Sequence, residues 1–438
     1  MKRLLLIAPN VKNSLMVGGL FFRLPNLGLL RVAALTPPEW EVRIVDEKIE
    51  PLDLAQPADL VGITTMTTTV KRGYEIADHF RRRGVRVIMG GMHVSCMPQE
   101  ALQHCDAVVA GEAEGLWPAL LHDLAENTLK PVYRHGEIWP PLVGLPPNDW
   151  ELFRPKKYLP VHFMETTRGC PIDCEFCAVT SAFGGRFRNR PQDEVLAELK
   201  KLRPFTGLLT LKNLVLFVDD NIISNRAYAR EFLGRISDLN LNWFGQASMN
   251  IGKDPEILKL CEKSGCVGLF MGFETLSPEA IKSIGKGVNK PEEYLDVVHK
   301  IHDCGIGIDG SFVFGFDTDD AGSFDRTLEF VLKAKLEVAY FSILTPYPGT
   351  RLHKRLAAEG RLLTDDWDLY DANHVVYQPK TFTPDQLLAG YYGALKEVYS
   401  LPSIARRLWG TTSWKNFFYP MNFAFRGGVK RLAHSLGQ

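Results

Sequence analysis

The chain has 438 residues, 45% of them apolar and 23% charged, with 51 Lys and Arg against 51 Asp and Glu. That length exceeds one ordinary core and predicts two domains and a tail. The even charge balance gives no global field for nucleic acid, and no apolar run reaches the roughly 18 residues of a membrane span.

The opening MKRLLLIAPNVKN has an apolar run that stops at Pro9, too short for a signal-peptide h-region; it reads as a first buried strand. To about residue 125, apolar runs (RLLLIAP, EVRIVDE, DLVGITTMT, VRVIMGG, AVVAGE) alternate with helical segments such as LPNLGLLRVAALT, VKRGYEIADHFRRRG and PQEALQHC. Strand–helix alternation predicts a parallel, doubly wound sheet, whose ligands bind outside the carboxyl ends of the strands. Those ends, DEKIE, TTMTTT, GGMHVS and GEAEG, are rich in Gly, Thr and polar groups. Residues 126–160 carry many prolines and two tryptophans. Such prolines block helix and strand continuation alike, which predicts an ordered linker.

From 161 to 360 the alternation resumes with HFMETTRG, LVLFVDD, WFGQASM, GLFMGFE, DGSFVFGF and AYFSILTPY as strands. Six strand–helix units fall short of the eight of a full barrel of about 250 residues, so an open or partial (β/α)6 barrel is predicted. Glu165, Asp219, Asp220, Gln246, Ser248, Glu274 and Asp317 collect at its strand ends, the rim where such barrels do chemistry. Residues 361–438 form a mainly helical extension, with a helix start at Thr383 followed by Asp385 and Gln386. From Ser403 onward there are six Lys or Arg, no Asp or Glu, and the aromatics Trp409, Trp414, Phe417, Phe418, Tyr419, Phe423 and Phe425. That mixture suits a membrane surface or an apolar substrate portal, and equally a segment packed over the barrel mouth.

Eight unevenly spaced cysteines do not read as a secreted disulfide scaffold. A reducing cytoplasm is the expected setting, with the inner membrane surface as a peripheral contact. Three of the eight, Cys170, Cys174 and Cys177, directly follow a predicted strand. Clustered thiolates are the usual ligands of iron–sulfur clusters; three of them fill three corners of a four-iron cluster and leave one iron open. Structural zinc wants four ligands, commonly in separated pairs. No second pair follows, and His162 sits awkwardly within the strand. Cys96 and Cys105 read as structural, and Cys261, Cys266 and Cys304 as too scattered for a second cluster.

The Cys-x3-Cys-x-aromatic-Cys pattern, with Phe176 as the aromatic, resembles the signature of the radical S-adenosylmethionine enzymes. The resemblance implies a 4Fe–4S cluster whose open iron binds S-adenosylmethionine, and reductive cleavage of that ligand to a 5′-deoxyadenosyl radical. It also implies a low-potential electron donor such as flavodoxin or ferredoxin. LFVDDN, GLFMGFET, SFVFGFDTD and LTPYPGTRL are similar to later motifs of the family. By that likeness Asp219 and Asp220 hold the methionine amino group, Glu274 meets the methionyl or ribose part, Phe314 lies on the strand facing adenine, and Gln246 and Ser248 complete the site. Other readings stand beside these: a solvated loop pair for the aspartates, a helix N-cap for Glu274, a simple turn for Pro346 and Gly349.

The order of doubly wound domain (1–125), proline linker (126–160) and barrel (161–360) resembles the cobalamin-binding branch of that superfamily. The likeness places Thr64, Thr65, Thr68, Gly90, Gly91, His93, Gly111, Glu112 and Glu114 near a corrin. The Asp-x-His-x-x-Gly of many cobalamin domains is replaced by DEKIEP, with Lys48 in the histidine position, so no cobalt-ligating histidine is evident. His93, after Gly-Gly, reads as a pocket-lining residue or as a loop histidine bonded to backbone. The implied activity is C-methylation of an unactivated carbon in a small molecule, with a lean towards lipid or isoprenoid-like substrates. Ring formation or rearrangement without methyl transfer is the second reading, and a non-catalytic cluster or cobalamin sensor the third.

Overall fold

The computed structural model describes residues 1–10, 23–136, 138–153, 158–202, 214–411 and 413–435. Two six-stranded parallel sheets dominate them. The first contains β1 (Lys2–Ala8), β2 (Trp40–Asp46), β3 (Leu60–Thr64), β4 (Arg86–Gly90), β5 (Ala107–Ala110) and β6 (Val132–Arg134), in the order β2-β1-β3-β4-β5-β6. Strand β1 is apolar from Leu4 to Ala8 because both of its faces are covered there. Leu5 and Ile7 pack with Tyr74 and Phe80 of the helix Val70–Arg82. Leu4 and Leu6 pack with Leu29 and Leu30 of Leu27–Ala34 and Trp117 of Leu116–Ala125. Strand β6 lies inside the segment read as a linker; its three residues follow Pro131 and pair with β5.

The second sheet comprises β7 (His162–Met164), then, beyond the short antiparallel pair β8 (Thr167–Arg168) and β9 (Arg188–Asn189), β10 (Leu214–Phe217), β11 (Asn242–Gln246), β12 (Cys266–Glu274), β13 (Gly307–Phe314) and β14 (Val338–Ile343). Its order, β14-β13-β12-β11-β10-β7, is that of an open six-unit barrel. Alternation along the strands separates two faces. Phe312, Phe314 and Phe341 meet edge-on among themselves and contact Phe324 and Phe330 of the helix Ser323–Lys333, so they face the outer helical layer. Asp309, Ser311, Tyr340 and Ser342 therefore face the concave side.

The C-terminal extension is helical over Pro384–Val398, Leu401–Leu408 and Lys415–Ser435. Thr383 and Gln386 cap the first of these reciprocally. The last helix enters the concave side at the amino ends of the strands. A Cβ on Gly268 or Gly307 would come within 2.8 Å and 2.3 Å of the Phe418 ring, and Phe417 meets Phe244 with ring centroids 5.7 Å apart. The tail thus fills the floor of the barrel rather than its catalytic mouth, and its other face is left to solvent. Upstream, Asp366 pairs with Lys71 at 2.5 Å and the Trp367 indole donates to Glu100 at 3.1 Å, strapping the extension to the first domain. No helix among the described residues is long and apolar enough to cross a membrane.

Candidate functional site

The cysteine loop is tied off at its neck by the β8–β9 pair. Gly169 opens it at φ +88°, where a Cβ would lie 2.2 Å from the Arg186 carbonyl oxygen; only glycine fits that crossing. The Gly169 amide donates to Asp220 at 2.9 Å. Burial pushes all three thiols up, Cys174 to about 12, so holding them as thiolates demands compensating positive charge. The thiols are near enough to feel one another, yet among the described residues no three His, Cys, Asp or Glu side chains converge as a compact single-ion cage. Three separated thiols and no fourth are the donor set of an iron–sulfur cluster with one open iron.

The nearby compensating cation is Lys286, which sequence reasoning missed. Its side chain is 12% exposed, donates to the Gly272 carbonyl at 2.9 Å and is ion-paired with Glu274. Burial works against its charge, but Glu274 and then Cys174 and Cys177 outweigh that and hold the ammonium above its ordinary value. Glu274 sits at φ +64° and is 7% exposed. Its expected contact to a ligand is therefore shared with Lys286, and the helix N-cap reading fails, because Ser277 caps the following helix.

The two adjacent aspartates diverge. Asp219 is fully buried, and both of its oxygens are taken by the Thr166 and Thr167 amides (2.6 and 2.8 Å) and the Thr166 hydroxyl (2.5 Å). It fixes the β7–β8 turn and is not free to hold a ligand amino group, a correction to the sequence reading. Asp220 keeps one oxygen free of protein partners and lines the main cavity. Gln246 is exposed at the rim, and Ser248 begins the turn after β11, its amide on Asn221. Phe176 lines a second cavity of about 300 Å³ with Phe316, Leu344, Leu352, Tyr377 and Asp317; Asp317 is held there by Arg361 and Lys380. The Phe314 side chain is turned to the outer layer, so only its backbone is available on the site side.

The main cavity, about 390 Å³, lies between the carboxyl ends of the two sheets. Thr64, Gly90, Gly91, Gly111, Glu112 and Glu114 line it from the first domain, and Thr167, Arg168, Val218 and Asp220 from the second. Gly91 and Gly111 have φ of +98° and +103°, and a Cβ on either would meet Thr65 backbone or the Trp139 ring at 3.0 Å or less. The strand ends are thus open cradles that a flat ligand can approach closely. Three expected residues lie elsewhere. Thr65 is buried behind the strand end and Thr68 does not line the cavity. His93 is turned away, wholly buried between Thr67 (3.3 Å), Glu100 (3.4 Å) and the Trp367 ring. No histidine lines the cavity among the described residues, and Lys48 donates to the Leu24 carbonyl outside it.

Glu112 and Glu114 carry a further role that the sequence did not disclose. Arg168 reaches Glu112 (2.8 Å), Glu114 (3.0 Å) and Glu165 (2.7 Å). Arg188 also pairs with Glu112, and Arg31 approaches Glu114 at 3.6 Å. Burial opposes the Arg168 charge, but the three glutamates overcome it. This buried, charge-matched network locks the domains together at the cavity wall, where losing one member would strand its partners. Trp139, from the linker, packs between Gly111 and Gly184 of the cysteine loop.

One further buried acid faces the concave side of the barrel. Asp309 is 5% exposed, its Oδ1 has no hydrogen-bond partner, and burial pushes its carboxyl up to about 7. Its folded value lies above the unfolded 3.8, so the native state holds the proton across that window and stability falls as pH rises through it. Asp309→Asn is expected to match the wild type near pH 4 and to exceed it on the order of 3 kcal/mol at pH 8, read by urea denaturation at both pH values. A wild type whose stability does not fall relative to the variant between them would contradict this.

The profile of the Radical SAM superfamily matches residues 164–331 and that of the B12 binding domain residues 14–121. Bacteriochlorophyllide d C-12(1)-methyltransferase of Chlorobaculum tepidum is 33% identical over 437 residues, covering 98% of this chain and 94% of that protein. The hopanoid C-2 methylase of Rhodopseudomonas palustris is 30% identical over 355 residues, 78% of this chain and 66% of that one. The methyltransferase TsrM of Kitasatospora setae, solved with tryptophan and a SAM analogue, shares the fold at a TM-score of 0.70 over 100% of both chains, with 16% identity. The chain belongs to the cobalamin-binding radical S-adenosylmethionine methyltransferases. It is an enzyme of that class, and its cofactors are a 4Fe–4S cluster, S-adenosylmethionine and cobalamin.

Proposed function

We propose that the protein C-methylates an unactivated carbon of an apolar small molecule, of the kind named for its relatives, bacteriochlorophyllide d and the hopanoids. The observation that supports this reading is the cavity shared by both sets of strand ends, with Gly90, Gly91 and Gly111 on one wall and Asp220 beside the cysteine loop on the other. When bound, the cluster and S-adenosylmethionine supply a hydrogen-abstracting radical, and cobalamin supplies the methyl group. In this reading Cys170, Cys174 and Cys177 hold the cluster and Lys286 balances their charge. The free oxygen of Asp220 accepts from the methionyl ammonium. The rings of Phe176 and Phe316 offer an apolar wall to the adenine. Met66 and Val218, apolar side chains left 56% and 38% exposed, dry the space between the two cofactors. A low-potential flavodoxin or ferredoxin delivers the electron, and the C-terminal extension contacts the membrane surface peripherally.

The test is anaerobic reconstitution with cobalamin and methyl-labelled S-adenosylmethionine, followed by incubation with bacteriochlorophyllide d and with a hopanoid. Label on a substrate carbon, together with 5′-deoxyadenosine, is the expected result. Deoxyadenosine with an unlabelled, rearranged product would replace methylation by ring chemistry. Reduced, fully loaded protein that never forms deoxyadenosine would make it a sensor.

A further inference from the structure

Every large aromatic side chain that is exposed among the described residues lies between positions 409 and 423. Trp409 is 79% exposed, Phe423 52% and Tyr419 37%. None is loosely held. The Trp409 backbone is anchored by Lys335 Nζ on its carbonyl at 3.1 Å, and Tyr419 and Phe423 are four residues apart on the helix whose inner face is packed into the barrel floor. That helix is fastened to the one before it by the buried Arg407, which donates to Asn422 at 2.8 Å. Leu401, 53% exposed, opens the short helix that Trp409 follows and adds apolar surface to it. Rigid, solvent-facing aromatics cost apolar exposure and gain nothing inside this chain.

The charge around them is of one sign. Arg406, Lys415, Lys430 and Arg431 are exposed on the same two helices, and no Asp or Glu occurs from Ser403 to the end of the chain, although the whole chain is neutral. Aromatic rings flanked by cations on a helix that shows its apolar stripe outward form the pattern of an interfacial helix, with rings at the headgroup level and cations on anionic lipid. We propose that the outer faces of Leu401–Leu408 and Lys415–Ser435 dock the protein on an anionic bilayer surface. This deepens the peripheral contact proposed above and rests on no assumption about methyl transfer. The docking face lies at the amino ends of the barrel strands, remote from the cofactor cavity at their carboxyl ends, so the bound protein keeps that cavity open.

The test is flotation of the full-length protein with phosphatidylcholine vesicles and with vesicles containing phosphatidylglycerol as well. Binding to the anionic vesicles is expected, weakened at high salt. It should fall at least tenfold in the triple variant W409S/Y419S/F423S and in K415E/K430E/R431E. Because all six side chains are exposed, thermal midpoint and iron content should stay at wild-type values in both. The proposal is overturned if the wild type does not float, if either variant floats as well as the wild type, or if neutral vesicles bind equally. It is also overturned if the aromatics instead drive the free protein to dimerise. Vesicle binding needs neither cofactor nor substrate, so its failure would leave the methylation reading untouched, and the reverse holds as well.

Discussion

Replacing Cys170, Cys174 or Cys177 by alanine is expected to abolish 5′-deoxyadenosine formation and to strip the visible iron–sulfur absorbance. The loop offers three thiols and no fourth, and no other cysteine of the chain lies on it. Each thiol is pushed up by burial, so iron must displace a proton from each, and the cluster's own charge is what makes those thiolates affordable. A corner lost from such a site exceeds the roughly 10–100-fold effect of an outer-shell change in a metal centre. Iron and sulfide per chain, followed by chromatography of the cleavage product, measure it. Retained cleavage in any one variant would remove that cysteine from the site.

The second large effect is expected at Lys286. In Lys286→Met the Glu274 carboxylate, 7% exposed and at φ +64°, loses its ion-pair partner, and the three thiols lose the cation that faces them. Breaking one side of a buried pair costs about 3–5 kcal/mol, so the urea midpoint should drop and cluster loading with it. Lys286→Arg keeps the charge and should recover part of both. The double variant Lys286→Met, Glu274→Gln separates the roles: stability should return once no carboxylate is stranded, while cluster loading should not. If loading returns together with stability, Lys286 is only the partner of Glu274.

The two sheets were legible because most of their strands contain an apolar run whose faces are both covered, as in β1 and β13. What escaped was short or non-local. Strand β6 is three residues directly after Pro131, and β8 meets β9 across the whole cysteine loop for two pairs. Among site residues, the motif located the thiols, but local pattern could not tell which of two adjacent aspartates faces the cavity. The Thr166–Thr167 turn, some fifty residues away in sequence, claims Asp219. His93 was drawn towards the pocket by its Gly-Gly neighbours, whereas the short helix Met92–Cys96 turns it towards Trp367, far along the chain. Lys286 follows a helix exit, SIGKG, that looks like solvent-facing punctuation; only the fold brings it under the cysteines.

The floor of the barrel has a consequence for how the protein is made. Phe417 and Phe418 close the amino ends of β11, β12 and β13, yet they are synthesised well after the last barrel strand, which ends at Ile343. The first domain can fold during synthesis, since its sheet and both covering layers are finished by residue 134. The barrel stays unsealed when its strands are complete, because the rings that close its floor are made only later. Maturation of the iron–sulfur centre in a finished barrel therefore waits on the helix Lys415–Ser435, and a chain stopped before Phe417 would leave an unsealed barrel as a client for chaperones.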